Sequence, residues 1–182
     1  MRTVTAGLFH SVDGVVEAPN LWQLDSFDDE LGTEMSTFMA ATTTVVLGRV
    51  GYQDWLQHFP GSDDPFASFI NPVEKLVASR TLTGPLEWQN AHLLEGDAVA
   101  AVTALQQGDG GNIALVGGIS LVRQCLLAGV LDVLTLMTHP VVAGAGRHLF
   151  EPTDPITPLE LLDVRRTSRG NVITDYRLAV RR

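Results

Sequence analysis

A short apolar run that ends at a polar or glycine turn occurs three times in the chain. The three runs and their turns are Thr43–Leu47 with Gly48-Arg49, Lys75–Ala78 with Ser79-Arg80-Thr81, and Asn112–Val116 with Gly117-Gly118. Runs of this kind are typical of strands covered on both faces, and helix-compatible segments lie between them. The alternation predicts a mainly parallel sheet with crossover helices. Such sheets bind ligands beyond the carboxyl ends of their strands, so we expect all three turns at one edge.

The remaining segments extend this α/β pattern. Helices are predicted at Asp28–Thr42, from Arg49 through Trp55, at Asp97–Gln107 and at Ile119–Leu127. Further strands are predicted from Thr3 to near Asp13 and at Val133–His139, Leu159–Ser168 and Val172–Val180, with a hairpin turn at Ser168–Asn171. Because no long helix separates the last strands, we expect antiparallel strands to complete the sheet. The aromatic segment Glu17–Phe27 is predicted to be a loop that packs over something, such as a lid. Residues 1–182 are expected to form one domain.

Composition excludes several classes of protein. The net charge is −9, which argues against nucleic acid as the main partner. The longest apolar stretch, Ile113–Met137, is interrupted by glycine and charged residues, so no membrane span is expected. The single cysteine, Cys125, forms no internal disulfide, and the five histidines lack metal-binding spacing. We therefore expect a cytoplasmic protein without a metal.

The three turns offer groups that bind phosphate. Gly117-Gly118 opens a helix, so free backbone N–H groups and the helix dipole favour an anion there. Arg49 carries a guanidinium suited to phosphate, and Ser79-Arg80-Thr81 places a cation between two hydroxyls, as a 2′-phosphate requires. Each turn also has a simpler interpretation, as a tight turn, a solvated arginine or a capped turn. Together they predict a pocket for a phosphorylated cofactor.

Five motifs, in this order along the chain, carry a family resemblance. They are Ser11-Val12-Asp13-Gly14, Leu47-Gly48-Arg49-x-x-Tyr52, Ser79-Arg80-Thr81-Leu82, Val116-Gly117-Gly118-x-x-Leu121 and Pro140-Val141-Val142-x-Gly144-x-Gly146-x-x-Leu149-Phe150. Nearly the whole chain resembles the dihydrofolate-reductase-like superfamily. Within it, the chain looks like a stand-alone version of the reductase half of the bifunctional riboflavin-biosynthesis deaminase-reductase. The resemblance implies a three-layer sandwich, NADPH bound along the strand ends, hydride transfer to a small, often heterocyclic substrate, and frequent homodimers.

The resemblance also implies roles for individual residues. Gly48 and Arg49 would contact the cofactor phosphates, and Ser79, Arg80 and Thr81 would contact the adenosine 2′-phosphate. Gly117 and Gly118, with Ser120 and Leu121, would lie at the pyrophosphate and the nicotinamide.

Two positions depart from the family pattern. Relatives commonly have a phosphate-contacting threonine where this chain has Gly51, so backbone contact is expected to replace it. Riboflavin-pathway reductases have an acidic residue before the Gly-Gly pair, and this chain has Val116.

Candidates for proton supply and substrate contact come from the expected pocket. Asp13 and Glu30 are the candidate catalytic acids, although a turn residue and a first-turn helix residue also explain them. The aromatic residues that we expect to stack on a flat substrate are Trp22, Phe27, Tyr52 and Trp55, and the alternative role for them is core packing.

The leading hypothesis is an NADPH-dependent reductase of a small pterin- or pyrimidine-like molecule. The alternatives are the 5-amino-6-(5-phosphoribosylamino)uracil reductase of riboflavin biosynthesis and a catalytically silent NADP-binding module. The apolar segment Leu131–Met137 further predicts a homodimer that pairs through this late strand, unless helices of the same chain cover it.

Overall fold

An eight-stranded sheet forms the centre of the fold. The computed structural model describes residues 1–179. The strands are β1 (Val4–Ser11), β2 (Thr42–Gly48), β3 (Glu74–Ala78), β4 (Ala91–Leu93), β5 (Asn112–Val116), β6 (Val133–His139), β7 (Leu159–Arg166) and β8 (Val172–Leu178). Their order across the sheet is β4-β3-β2-β5-β1-β6-β8-β7.

The strand pairing confirms a mainly parallel sheet completed by antiparallel C-terminal strands. Strands β1 to β6 pair in parallel, whereas β8 is antiparallel to β6 and β7 is antiparallel to β8. Gly170 turns the β7–β8 hairpin with a φ of 85°. The sequence pattern does not predict β4, because a strand of three residues is too short to show a period. The predicted end of the last strand, Val180, lies outside the described residues.

Helices cover both faces of the sheet and complete three layers. They are α1 (Asp29–Ala41), α2 (Arg49–Leu56), α3 (Ala67–Ile70), α4 (Ala98–Gln106) and α5 (Ile119–Leu127). Helices α4 and α5 pack against one face, while α2 and α3 pack against the other with an aromatic cluster. Helix α1 lies on the same side as α2 and α3, where Leu31 packs against Met137 of β6 and Ile173 of β8.

Burial on both faces explains the continuous apolar run of β2. Val45, Val46 and Leu47 are all completely buried. Because side chains alternate across a strand, Val46 enters the core under α4 and α5, and its two neighbours enter the opposite core. Each such side chain contributes roughly 1.5–3 kcal/mol through burial.

A buried lysine binds the carbonyl groups at the C-terminal end of the short helix α3. The ammonium of Lys75 donates hydrogen bonds to the carbonyl oxygens of Ile70, Asn71 and Val73, at 2.7, 2.8 and 2.7 Å. Its nitrogen also lies 4.9 Å from the ring centroid of Trp88. Burial lowers the pKa of Lys75 to about 8, and the three carbonyl acceptors favour the charged form. Lys75 therefore joins α3 to β3 from inside the protein.

The strand predicted to pair two subunits is an inner strand of the sheet. Strand β6 lies between β1 and β8, Leu134 is completely buried, and Leu136 packs against the core under α4 and α5. The apolar character of Leu131–Met137 is thus explained by elements of the same chain, which was the alternative interpretation. Exposed apolar side chains occur instead on β7, at Leu161, Leu162 and Val164.

No helix within residues 1–179 is long and apolar enough to cross a membrane. The Cys125 thiol is completely buried in the core, and burial raises its pKa to about 11. A thiol in this environment is protonated at neutral pH and is a poor nucleophile.

Candidate functional site

A cleft of about 2330 Å³ lies along the sheet between α1 and the turns that follow β2, β3 and β5. Its floor includes Thr5, Gly7 and Phe9, the alternate residues of β1 that face α1. All nine residues predicted to bind the cofactor line this cleft. They are Gly48, Arg49, Ser79, Arg80, Thr81, Gly117, Gly118, Ser120 and Leu121. The parallel order of β3, β2 and β5 brings the three turns to one edge, as the sequence predicts.

Glycines bring the turns after β2 and β5 into direct backbone contact. Gly117 has a φ of 58°, which favours glycine. Gly118 has an extended backbone that any residue adopts, but a Cβ there would lie 3.1 Å from the Gly48 nitrogen. A Cβ at Gly51 would lie 1.9 Å from the Gly117 carbonyl oxygen. A larger residue at position 51 would therefore push α2 away from the turn.

Two helices begin in the cleft without a capping side chain. Helix α2 begins after Gly48 and α5 begins after Gly118, and glycine has no side chain with which to cap. By contrast, Asp28 caps α1 and Asp97 caps α4 through hydrogen bonds to backbone N–H groups. The free N–H groups and the positive dipole ends of α2 and α5 meet where the two turns touch. An anion at this point would satisfy both helices.

Arg49 and Arg80 supply positive charge at the same edge. The Arg49 guanidinium donates a hydrogen bond to the Gln53 side chain at 2.7 Å. Within residues 1–179, neither arginine forms an ion pair. The Ser79 hydroxyl oxygen accepts hydrogen bonds from the backbone of Thr81 and Leu82, which leaves its O–H free to donate. The turn after β3 therefore presents a guanidinium and a hydroxyl donor together.

The other end of the cleft carries a charged group that the sequence analysis missed. Arg165 of β7 binds Glu34 of α1, Asp175 of β8 and Asp163 of β7. The Thr135 hydroxyl of β6 donates to Asp175 at 2.6 Å. No sequence signal singled out Arg165 and Asp175, because the predicted strands also contain other charged residues, such as Glu160, Arg166 and Arg177.

The two candidate catalytic acids do not line the cleft. Asp13 accepts hydrogen bonds from Ser11 and from the backbone N–H groups of Ala143 and Gly144, at 2.7, 2.9 and 2.8 Å. These bonds hold the pKa of Asp13 well below its usual range, so it is a poor proton donor at neutral pH. Its observed contacts join the turn after β1 to the loop after β6.

Glu30 is likewise engaged in a structural contact. Its carboxylate accepts hydrogen bonds from the backbone N–H and the hydroxyl of Ser168, both at 3.0 Å. Glu30 therefore connects the first turn of α1 to the β7–β8 hairpin. The predicted role in catalysis has no geometric support for either acid.

The four predicted aromatic contacts divide into two pairs. Phe27 and Trp55 line the cleft, whereas Trp22 and Tyr52 are buried beside it. The Trp22 indole donates to the carbonyl oxygen of Glu17, and the Tyr52 hydroxyl accepts a hydrogen bond from the Glu87 N–H. Trp22 and Tyr52 thus pack the walls, which was the alternative role for these residues.

A buried histidine fastens the aromatic loop that forms one side of the cleft. His139 lies 2.7 Å from the Ser26 hydroxyl through Nδ1 and 3.0 Å from the Gln23 amide nitrogen through Nε2. Its ring also makes edge contacts with Phe9 and Trp22. Burial lowers the pKa of His139, although Asp28 acts in the opposite direction. Within residues 1–179, no group of three or more His, Cys, Asp or Glu side chains is arranged to hold a metal ion.

Comparison with known proteins places the chain in one family. The family model described as the RibD C-terminal domain matches residues 2–173. The Bacillus subtilis protein YyaP, itself uncharacterised, is 28% identical over 96% of this chain and 94% of its own length.

Solved structures share the fold at low sequence identity. The crystal structure of a Shewanella sp. PV-4 protein matches with a TM-score of 0.76 and 19% identity, covering 98% of this chain and 99% of that one. A Thermotoga maritima diaminohydroxyphosphoribosylaminopyrimidine deaminase/5-amino-6-(5-phosphoribosylamino)uracil reductase matches with a TM-score of 0.64 and 13% identity. This chain is covered to 98%, but it spans only 57% of that longer protein.

Proposed function

Because the chain belongs to the RibD C-terminal domain family, we propose that it is an NADPH-dependent reductase of a small heterocyclic substrate. The observation that carries this proposal is the meeting of two uncapped helix N-termini, after Gly48 and after Gly118, beside two arginines without ion pairs in the described chain. Such a site suits the pyrophosphate and the 2′-phosphate of one dinucleotide.

The residues present fit this cofactor. The backbone N–H groups at the starts of α2 and α5 would bind the pyrophosphate, with Arg49 close by in the first turn of α2. Arg80 and the Ser79 O–H would bind the 2′-phosphate, which distinguishes NADPH from NADH. When bound, the nicotinamide supplies a hydride. Because Gly117 and Gly118 have no side chains, their turn packs closely against Gly48 and Gly51, which brings the two helix N-termini together.

The substrate would lie farther along the cleft, over β1. The floor there includes Gly7, which has no side chain, and Phe27 and Trp55 are the aromatic side chains of the predicted set that reach the cleft. A flat ring held on this floor would lie beside the turn at Gly117-Gly118, close enough for transfer from a cofactor bound there. The protein would contribute positioning and exclusion of water.

The test begins with cofactor binding and then measures NADPH consumption. NADPH and NADH are titrated against the wild type, Arg49→Ala and, as a control, Arg177→Ala, whose side chain pairs with Glu160 outside the cleft. We expect Arg49→Ala to weaken both dinucleotides about tenfold or more, because a charge-assisted hydrogen bond contributes roughly 1.5–3 kcal/mol. The control variant should bind both like the wild type.

NADPH oxidation is then followed with pterins, pyrimidines and 5-amino-6-(5-phosphoribosylamino)uracil. Turnover of a pterin or an unphosphorylated pyrimidine supports the proposal, and strong preference for the phosphoribosylamino compound supports the riboflavin-pathway alternative. Binding of NADPH without oxidation by any compound favours a silent NADP-binding module. No binding of NADPH contradicts the proposal.

A further inference from the structure

The two ends of the cleft differ in their available charge. Four arginines line the cleft within the described part of the chain. Arg147 is paired with Glu17 at 2.6 Å, and Arg165 is surrounded by carboxylates. Only Arg49 and Arg80, which follow β2 and β3, remain unpaired there. Since neighbouring strands lie about 4.8 Å apart, β8 lies roughly 20 Å across the sheet from β2.

A row of residues in register leads from the middle of the cleft to the Arg165 end. Gly7 of β1 faces Thr135 of β6, and Thr135 faces Asp175 of β8. A Cβ at Gly7 would meet only the Met137 methyl group, at 3.5 Å, so the floor over β1 is open. A ligand resting on this floor would therefore reach Asp175.

The guanidinium of Arg165 directs four of its five N–H donors to carboxylates. It donates two hydrogen bonds to Glu34, at 2.9 and 3.2 Å, one to Asp175 at 2.9 Å, and one to Asp163. Burial opposes its charge, but the bonds to Asp175, Asp163 and Glu34 outweigh burial and raise the pKa of Arg165. Three carboxylates around one guanidinium leave an excess of negative charge. A phosphate here would be repelled by these carboxylates, and it would have to displace one of them to bind Arg165 through two N–H groups.

The same end retains hydrogen-bond acceptors for a ligand. The carboxylate of Asp175 accepts one bond from Thr135 and one from Arg165, out of about four that it can accept. Its side chain is 18% exposed, and that of Glu34 is 32% exposed. In the middle of the cleft, the buried Oγ1 of Thr5, on the same face of β1 as Gly7, has no hydrogen-bond partner within the described residues. These groups suit a ligand that brings N–H groups.

Resting on the function proposed above, we infer that the Arg165–Asp175 end takes an unphosphorylated substrate that presents N–H donors, such as an amino- or amidine-substituted ring. The phosphates of the cofactor bind at one end of the cleft, and the electrostatics of the other end exclude a second phosphate. This substrate class differs from the phosphoribosylamino compound named for the Thermotoga maritima protein.

Two probes that share a ring and differ in charge test this inference. Protein saturated with NADP⁺ is titrated by calorimetry with benzamidine and with phenyl phosphate. We expect benzamidine to bind at least tenfold more tightly than phenyl phosphate. Binding of neither probe, equal binding or tighter binding of phenyl phosphate overturns the inference.

Variants at the Arg165–Asp175 end test which residue produces the preference for benzamidine over phenyl phosphate. Asp175→Asn should weaken benzamidine at least tenfold and strengthen phenyl phosphate, because it removes one carboxylate from Arg165. Glu160→Gln is the matched control, since it also removes one carboxylate. Glu160 lies on β7, pairs with Arg177 and does not line the cleft. Equal effects of the two variants contradict the role of Asp175. Thermal unfolding establishes whether each variant is folded. If Asp175→Asn is unfolded, the comparison of benzamidine with phenyl phosphate on the wild-type protein still tests the inference.

The two proposals fail in distinguishable ways. If NADP⁺ does not bind, the proposed function fails, and the probes are compared on the variant Arg49→Ala/Arg80→Ala, in which the phosphate-binding arginines are removed. If NADP⁺ binds and phenyl phosphate is preferred, only the inference about the substrate fails.

Discussion

At the scale of single residues, Arg80 is the group through which the cleft would distinguish NADPH from NADH. It lies in the turn after β3 beside Ser79 and forms no ion pair within residues 1–179. We predict that Arg80→Ala weakens NADPH binding by roughly 1.5–3 kcal/mol, because a charge-assisted hydrogen bond to the 2′-phosphate is lost. NADH lacks this phosphate and should be affected far less. Fluorescence titration of both nucleotides measures the difference.

The matched variant for this prediction is Arg49→Ala, which removes a guanidinium group from the turn after β2 instead of the turn after β3. Because Arg49 would lie near the pyrophosphate common to both dinucleotides, it should weaken NADPH and NADH to a similar extent. An equal loss of both dinucleotides in Arg80→Ala would show that Arg80 does not bind the 2′-phosphate.

The buried side chain of His139 should make the stability of the protein depend on pH. The Gln23 amide nitrogen faces Nε2 of the ring, so Nε2 accepts a hydrogen bond and the neutral form carries its proton on Nδ1. Burial lowers the pKa of His139 in the folded state, with Asp28 opposing this effect. As the pH falls below the unfolded value of about 6.5, the unfolded chain binds a proton first. The contribution of neutral His139 to the stability of the folded state is therefore fully present above that pH, and it is lost as the pH falls toward the lower pKa of the folded state.

We expect the melting temperature of the wild type to decrease when the pH is lowered from 7.5 to 5. The decrease should be smaller in His139→Gln. His10 is the comparison residue, because burial and the nearby His148 also lower its pKa, against Asp13. The variant His10→Gln should therefore remove part of the same pH dependence without detaching Ser26. If His139→Gln retains the full pH dependence of the wild type, the neutral-histidine contact does not contribute to it.

At the scale of elements, the contact between α2 and the turn after β5 determines whether the two helix N-termini face one ligand. Gly51 makes this contact possible, since a Cβ would lie 1.9 Å from the Gly117 carbonyl oxygen. We predict that Gly51→Ala moves α2 away from the turn and weakens NADPH binding about tenfold or more. Overpacking of this kind should also lower the free energy of unfolding by about 1–3 kcal/mol. Calorimetric titration and chemical denaturation measure the two effects.

Gly108→Ala is the control for that prediction. Its added Cβ would make only an ordinary contact with the Leu105 carbonyl oxygen, at 3.4 Å, and Gly108 does not line the cleft. It should leave NADPH affinity unchanged. Wild-type affinity in Gly51→Ala would mean that the two N-termini do not have to meet in order to bind the cofactor.

At the scale of the whole molecule, the expected homodimer stays a prediction, and the structure changes the surface through which we expect it to form. Leu161 and Val164 of β7 are 52% and 56% exposed, on the sheet edge opposite β4. Exposed apolar strands at an edge are commonly covered by a partner. We expect light scattering to give twice the chain mass of 19.6 kDa, and Val164→Asp to give the monomer mass. Leu136→Asp should instead destabilise the fold, because the partly buried side chain of Leu136 packs against the core.

Leu21→Asp provides the control for dimerisation. Leu21 is 75% exposed in the short 3₁₀ helix Pro19–Leu21, far along the chain from β7. A charge there should leave the dimer mass unchanged. A mass of 19.6 kDa for the wild type at micromolar concentration contradicts the dimer.

Local sequence patterns specify the order and type of most elements and the three turns that lie at one edge of the sheet. The apolar runs of β2, β3 and β5 are local patterns, and the turns that follow them reach one edge in any parallel sheet. Glycine at 117 and the Asp caps of α1 and α4 are also properties of a few consecutive residues. Such features are visible in a sequence because neighbours along the chain produce them.

Which polar residues meet across the cleft depends on strand pairing between distant parts of the chain. Gly7, Thr135 and Asp175 form one row because three strands distant in the chain pair in a particular register, and a shift by one residue would turn each side chain to the other face. Asp13 was a plausible acid until its partners, Ala143 and Gly144, were placed beside it across the fold. Long-range packing sets these contacts, so no local pattern encodes them.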